Sequence, residues 1–383
     1  MEIPYGKHNI SDQDIDAVVK VLKSNFITQG PEALKFEKSL CAYTGAKYCS
    51  VVNSATSALH LTLLAVGVSE GDSVWVPAIS FVATANAAKM CGAKVDFIDI
   101  NPETINICVS SLKKALLTAE QKPKVLVVVH MAGLSCEMKS ISEICEQYGI
   151  IIIEDASHAI GGEFNSKKVG CCQYSKASIF SFHPVKIITS GEGGAIMTND
   201  KKVKKNIDLL RSHGVNKDLS LEEPWLYDQD KLGFNFRMND IQAALGNSQL
   251  KRVDRITERR NKIASIYKKN MSPKKFIFQK VDESCFSSYH LFIVQYRSKI
   301  PTKVRAGIHR RMIEKNILVN VHYRPIYKNT FYNLNVKEKN FPGAELYYSR
   351  CITLPLYPEL RKNEIETIAK TLSYLLCDST QSL

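Results

Sequence analysis

Residues Ile150 to Asp155 read IIIIED, four isoleucines followed by two acids. A strand that is apolar on both faces must be covered by helices on both sides, the situation of a central strand in a parallel sheet. Its acids fall at the C-terminal end, the edge at which such sheets bind ligands. Further short apolar runs lie at Cys49 to Val52, Val74 to Pro77, Val95 to Ile98, Val125 to Val129, Ile179 to Phe182 and Ala195 to Met197. Amphipathic helical stretches separate them. The expectation is therefore an α/β fold built on a mostly parallel seven-stranded sheet.

Ser11 with Asp14 resembles a capping box, and Ile15, Val18, Val19 and Leu22 recur at helical spacing, so a short helix should follow ten extended residues. After Gly233 the pattern changes. One long helix is expected from Asn239 towards Asn270, carrying Lys251, Arg252, Arg255, Arg259 and Arg260 on its surface as a connector. Strands at Tyr289 to Tyr296, Ile317 to Val321 and Cys351 to Leu354, with helices near Lys303 to Glu314 and Lys362 to Leu376, suggest a smaller α/β domain. The 383 residues exceed the roughly 250–300 at which single cores stop growing. The expected division is a large domain over 1–238 and a connector with a small C-terminal domain over 239–383.

The longest apolar run, VLVVV, falls far short of the about 18 residues that a membrane span requires. No basic segment followed by an apolar one opens the chain, so a cytoplasmic location is expected and no membrane partner. The eleven cysteines show no CxxC spacing, and the neighbouring side chains of Cys171 and Cys172 diverge, so no metal site is expected. The net charge is +13, but the basic stretch Lys251 to Lys269 lacks interleaved aromatics and reads as a solvated helix face rather than a nucleic-acid surface.

Chemistry concentrates in SIFSFHPVKIITSGEGGAIMT, Ser178 to Thr198: a buried strand, a loop with one lysine, a Gly-rich turn and another strand. Lys186 there is either one more solvated lysine or a Schiff-base amine, which needs a desolvated pocket to be neutral. Asn53-Ser54-Ala55-Thr56-Ser57 opens a helix after a strand, either as plain capping or as an anion site built from free N–H groups and the helix dipole. Asp155 and His158 follow the central strand in EDASHA, and Phe81 follows another in PAISFVATAN. Singly these are a helix cap, a core histidine and a core phenylalanine.

Together, in this order and spacing, they resemble the pyridoxal phosphate site of the DegT/StrS sugar-nucleotide aminotransferases, which are fold-type I enzymes. The resemblance runs from Tyr5 to the last helix, through NSATSAL, PAISFVATAN, EDASHA, FSFHPVK with GEGGA, LRSHG, GFNFRMNDIQAALG and VHYRPIY. It implies pyridoxal 5′-phosphate as cofactor and Lys186 as the Schiff-base lysine. Asp155 would pair with the pyridine nitrogen, His158 lie beside the ring and Phe81 stack on it, with Ala55, Thr56 and Ser181 at the phosphate. Asn235 would reach the phosphate of the neighbouring subunit, implying a homodimer with shared sites, although Phe234 and Phe236 stand where the family often has Tyr. Tyr5, Asn25, Phe26, Ile27, Thr28, His322, Tyr323, Arg324 and Pro325 match positions used for the nucleotide-sugar.

Relatives with histidine in place of the lysine dehydrate sugars, so Lys186 favours transamination. The SFHPVK loop, HMAGLSCEM from His130 and RSHGVNKD from Arg211 are most similar to enzymes that aminate C4 of a UDP-linked 4-keto-6-deoxy-N-acetylhexosamine, UDP-2-acetamido-2,6-dideoxy-β-L-arabino-hex-4-ulose, in pseudaminic acid biosynthesis. L-glutamate is the expected amino donor. The alternatives are another nucleotide keto-sugar of lipopolysaccharide or antibiotic synthesis, or a cofactor-bound regulator without turnover.

Overall fold

The computed structural model of the chain describes residues 2–381 except 217–222, 224, 299, 301 and 333–336. The last two residues of the RSHGVNKD motif fall outside the described set. All seven expected strands form: β1 (Tyr48–Val52), β2 (Ser73–Pro77), β3 (Lys94–Ile98), β4 (Val125–Val129), β5 (Ile151–Asp155), β6 (Ala177–Ser181) and β7 (Gly194–Thr198). They make one sheet in the order β1-β7-β6-β5-β4-β2-β3. Every neighbouring pair is parallel except the two that involve β7, which runs against both β1 and β6. β2, β4, β6 and β7 are buried at every position, as strands covered on both faces should be.

The covering helices follow their strands: α3 (Ala55–Ala65), α4 (Ala83–Met90), α5 (Val109–Thr118), α6 (Met138–Gln147) and α7 (Lys201–Leu210), preceded by α1 (Asp12–Leu22) and α2 (Pro31–Thr44). α2 starts with proline in its first turn and stops at Gly45, whose φ of 81° is the left-handed conformation that ends a helix at little cost in glycine. In α1, Asp14 accepts the Ser11 N–H at 2.8 Å, the half of the capping box the sequence promised. The same buried carboxylate takes Ser248 Oγ and Gln249 Nε2, both at 2.7 Å, and the guanidinium of Arg252.

The expected connector helix is interrupted where that last contact lies. It is two helices, α8 (Asp240–Leu250) and α9 (Val253–Asn270), with the break where Arg252 turns back to Asn9 and Asp14. Nor is the whole basic series solvated. Arg260 is 1% exposed, and its Nη1 donates to the carbonyls of Tyr289, His290 and Leu356 at 3.1–3.2 Å.

A second sheet is formed by β8 (Phe276–Phe278), β9 (Phe292–Tyr296) and β10 (Cys351–Leu354) in sequence order, all antiparallel. With α9, α10 (Thr302–Glu314) and α12 (Lys362–Gln381) it encloses its own apolar cluster, which includes Tyr267, Phe292, Ile308 and Leu372. Residues 317–321, expected as a strand, make only single bridges, Ile3 to Ile317 and Asn320 to Thr353. The segment is shared between the N-terminal arm on one side and β10 on the other, so no ladder develops. α11 (Pro342–Arg350) precedes β10. Among the described residues no helix is long and apolar enough to cross a membrane.

Candidate active site

At the C-terminal edge of the large sheet lies a cavity of about 650 Å³, within the ordinary range for small-molecule sites. Ten of the residues expected from the sequence line it: Tyr5, Ala55, Thr56, Phe81, Asp155, His158, Ser181, Lys186, His322 and Tyr323. Seven of them arrive there because a parallel strand releases its chain at this edge, while Tyr5, His322 and Tyr323 come from the N-terminal arm and from the segment after residues 317–321. Asp155 ends β5, Ser181 ends β6, and Ala55 starts the helix after β1.

The turn Asn53 to Thr56 has the features of an anion cradle. A helix leaves its first N–H groups without internal partners. Ser54 Oγ takes the Ser57 N–H at 3.1 Å and the Ser54 carbonyl takes that of Ala58 at 3.0 Å, which leaves those of Ala55 and Thr56 for a ligand. Gly194 at the start of β7 makes room for this turn, since a Cβ there would stand 2.6 Å from the Ser54 carbonyl. The side-chain oxygen of Asn53 is buried in the same wall without a hydrogen-bond partner.

Asp155 is 6% exposed and oriented by Thr84, whose hydroxyl donates to Oδ2 at 2.7 Å, and by the Ser157 N–H, 3.2 Å from Oδ1. His158 accepts the Ala132 N–H on Nδ1 at 3.4 Å, so its proton sits on Nε2, which faces Tyr323 Oη at 3.4 Å. Burial, with Lys186 and His322 nearby, holds its pKa far below the usual imidazole value. His322 is pushed down to about 4 by burial and by Lys186. Burial also lowers Lys186 to about 8, against an opposing pull from Asp155. His158 and His322 are therefore neutral at pH 7, and Lys186 is the group whose charge is poised beside them.

Phe81 stands on the rim, 57% exposed, with its ring 6.0 Å from that of Tyr323. The remaining expected residues are not in the cavity wall of this chain. Asn25, Phe26, Ile27 and Thr28 are exposed after α1, Arg324 points to solvent, Pro325 is buried beyond the wall, and Asn235 is exposed in the segment that pairs with Ser212. The structure adds Thr84, Ser80, Asn320 and His290. Thr84 lies in PAISFVATAN, one turn past Phe81, and that spacing could have singled it out. His290 lay hidden in an apolar run that reads as a core strand. It is 4% exposed, with its ring 4.4 Å from His158.

These residues fit pyridoxal phosphate. Unpaired N–H groups at a helix start, in a turn for which Gly194 leaves room, suit its phosphate, and a buried, oriented carboxylate suits its ring nitrogen. A half-buried lysine whose ammonium form is disfavoured, beside them, suits its aldehyde.

The sequence profile of the DegT/DnrJ/EryC1/StrS aminotransferase family matches residues 8–373. A Campylobacter jejuni UDP-4-amino-4,6-dideoxy-N-acetyl-β-L-altrosamine transaminase is 38% identical over 375 residues, 98% of this chain and 97% of that protein. The structure of Helicobacter pylori PseC, an aminotransferase of pseudaminic acid biosynthesis, superposes with a TM-score of 0.91 at 34% identity, covering 99% of this chain and all of that one. The pyridoxamine phosphate form of Streptococcus pneumoniae Spr1654 gives a TM-score of 0.92 at 29% identity, over 98% of this chain and 100% of its own.

Proposed function

The chain belongs to the DegT/DnrJ/EryC1/StrS aminotransferase family, and from that premise we propose that it transfers the amino group of L-glutamate to C4 of UDP-2-acetamido-2,6-dideoxy-β-L-arabino-hex-4-ulose, as in pseudaminic acid biosynthesis. It is a fold-type I, pyridoxal-phosphate-dependent sugar aminotransferase. The observation that carries the reading is the convergence of a half-buried lysine of lowered pKa, an oriented strand-end aspartate and an open helix N-terminus on one cavity. The similarity to the Campylobacter and Helicobacter proteins supports this choice of sugar.

In this reading Ala55, Thr56 and Ser181 hold the phosphate and Asp155 keeps the ring nitrogen protonated. Phe81 and His158 flank the ring. The cofactor, when bound, supplies the electron sink. Lys186, neutral in a useful fraction near pH 7–8, takes a proton from the α-carbon of the donor and in the second half-reaction returns one to the sugar carbon. Tyr5, His322, Tyr323 and the 25–28 and 324–325 segments bind the nucleotide-sugar.

Asn235 completes the site of a second copy. The exposed apolar side chains Leu22, Phe26, Ile27 and Leu34, which a solitary chain would leave in water, support a homodimer. The proposal also keeps a large unit over 1–238 and a connector with small unit over 239–383, supported by the separate apolar cluster around the second sheet. The test is incubation with a panel of UDP-linked keto-sugars and glutamate, followed by mass analysis. A mass change corresponding to replacement of the ketone by an amine, on the L-arabino 4-ulose in preference to the others, is expected. A different preferred ketone, or no amination at all, rejects the proposal.

A further inference from the structure

One buried polar cluster plays no part in the chemistry above. His130, fully buried after β4, has its Nε2 2.8 Å from Oε2 of Glu154, which is 5% exposed. The ring is held on its other side too, because the Cys136 N–H points at Nδ1 at 3.1 Å. Nδ1 is therefore the acceptor, the proton resides on Nε2, and Nε2–H donates to the carboxylate. The second oxygen of Glu154 receives Ser175 Oγ at 2.5 Å. Neither His130 nor Glu154 lines the cavity.

Glu154 immediately precedes Asp155, and successive side chains of a strand point to opposite faces of its sheet. The carboxylate of Asp155 meets the cavity, and that of Glu154 is anchored on the other side. His130 grips both residues, since its backbone N–H donates to the Asp155 carbonyl at 3.1 Å while its ring holds Glu154. Ser175 ties the same carboxylate to the segment that leads into β6, whose Lys176 N–H bonds the Ile152 carbonyl at 2.9 Å. The C-terminal end of β5 is thus fixed from β4 and from β6 at the one residue pair where its direction decides where Asp155 points.

We propose that His130 and Glu154 are positioning residues that aim Asp155 into the cavity from the opposite face of the sheet. The proposal rests on the reading that Asp155 faces the cofactor's ring nitrogen. A glutamate removed from water in a strand is costly unless it is paired and hydrogen-bonded. Here both of its oxygens are engaged, and the engagement reaches the residue on which cofactor binding depends.

The test uses the full chain and three readouts: the dissociation constant of pyridoxal phosphate, the pH at which the visible band of the bound cofactor shifts, and the melting temperature of the apoprotein. Asp155→Asn serves as the reference. Glu154→Ala is expected to weaken cofactor binding about tenfold and to move the band's midpoint pH in the same direction as Asp155→Asn. Glu154→Gln keeps an oxygen for Nε2–H and should bind the cofactor within about twofold of the parent. Ser175→Ala, at a partly buried position where only a hydroxyl is lost, should show a smaller change of the same sign, and it decides the matter if Glu154→Ala does not fold. If Glu154→Ala or Ser175→Ala lowers only the melting temperature while Asp155→Asn moves affinity and midpoint, the pair is an anchor of the core and the proposal falls. If Asp155→Asn itself moves neither, the underlying reading of Asp155 fails.

Discussion

Thr84 donates its hydroxyl to Asp155 Oδ2 at 2.7 Å and stands 2.8 Å from Ser80 Oγ, so a helix that begins after β2 orients a carboxylate at the end of β5. Thr84→Val preserves shape and removes the donor. Cofactor affinity should fall about tenfold, since a buried hydrogen bond to a charged group is worth about 1.5–3 kcal/mol. Equilibrium titration of the apoprotein with pyridoxal phosphate measures this, and unchanged affinity would mean that Asp155 is held by other contacts.

The lysine should titrate where few lysines do. Burial disfavours its ammonium form and brings Lys186 to about 8, so the amine is neutral above that pH and protonated below it. Covalent capture of pyridoxal phosphate by the apoprotein, trapped with borohydride, should therefore rise with pH to a plateau beyond about 8, on a peptide that contains Lys186. Asp155 opposes the shift, so Asp155→Asn should move the midpoint lower still. A midpoint near the ordinary lysine value contradicts the desolvated site.

Gly194→Ala tests the anion cradle. The added Cβ would lie 2.6 Å from the Ser54 carbonyl and 2.7 Å from the Ala55 nitrogen, backbone atoms that can retreat only by moving the turn. Overpacking of this kind costs about 1–3 kcal/mol, and cofactor affinity should fall with the melting temperature. Gly307→Ala in α10 has no atom within 4 Å of the new Cβ, and there the better helix former should add about 0.5–1 kcal/mol. Urea unfolding of both variants beside the parent gives the comparison.

Shared sites can be tested by complementation. In the proposed homodimer, Lys186→Ala and Asn235→Ala should each be inactive. After verified subunit exchange, one site of the mixed dimer carries both lesions and the other none, so up to half of the heterodimer's sites should recover. No recovery would place the Asn235 contribution within its own subunit.

The large sheet was legible because its strands are short, mostly apolar runs, and burial on both faces writes itself into the composition of the central ones, while edge strand β3 keeps Lys94 and Asp96 exposed. The cavity residues were legible where family motifs and strand ends coincide, as at Asp155, His158 and Lys186. Arg252 shows what was not. Its contacts with Asn9 and Asp14, distant in sequence, lie at the break of a helix that local periodicity continues. Residues 317–321 have the composition of a strand, yet whether a ladder forms depends on neighbours that local pattern does not name. Arg260 reads as surface charge and is buried because three carbonyls from two loops meet it. His290 carries no motif at all, and only the fold brings it against His158.

Because β7 runs against its neighbours, the residues between β6 and β7 leave the sheet and re-enter it at the same edge, in adjacent strands. Phe182 N–H meets the Gly193 carbonyl at 2.9 Å and Ser190 N–H meets the Phe182 carbonyl at 3.0 Å, which draws the two feet of the loop together. Lys186 hangs from this closed loop like a bucket on a fixed gantry. In the proposed reaction this amine lets go of one partner and later takes it back, and its four methylenes reach the cavity from a loop whose two feet are tied together. Lengthening the loop on either side of the lysine would enlarge the space that amine searches, and the return step would slow before any binding contact was lost.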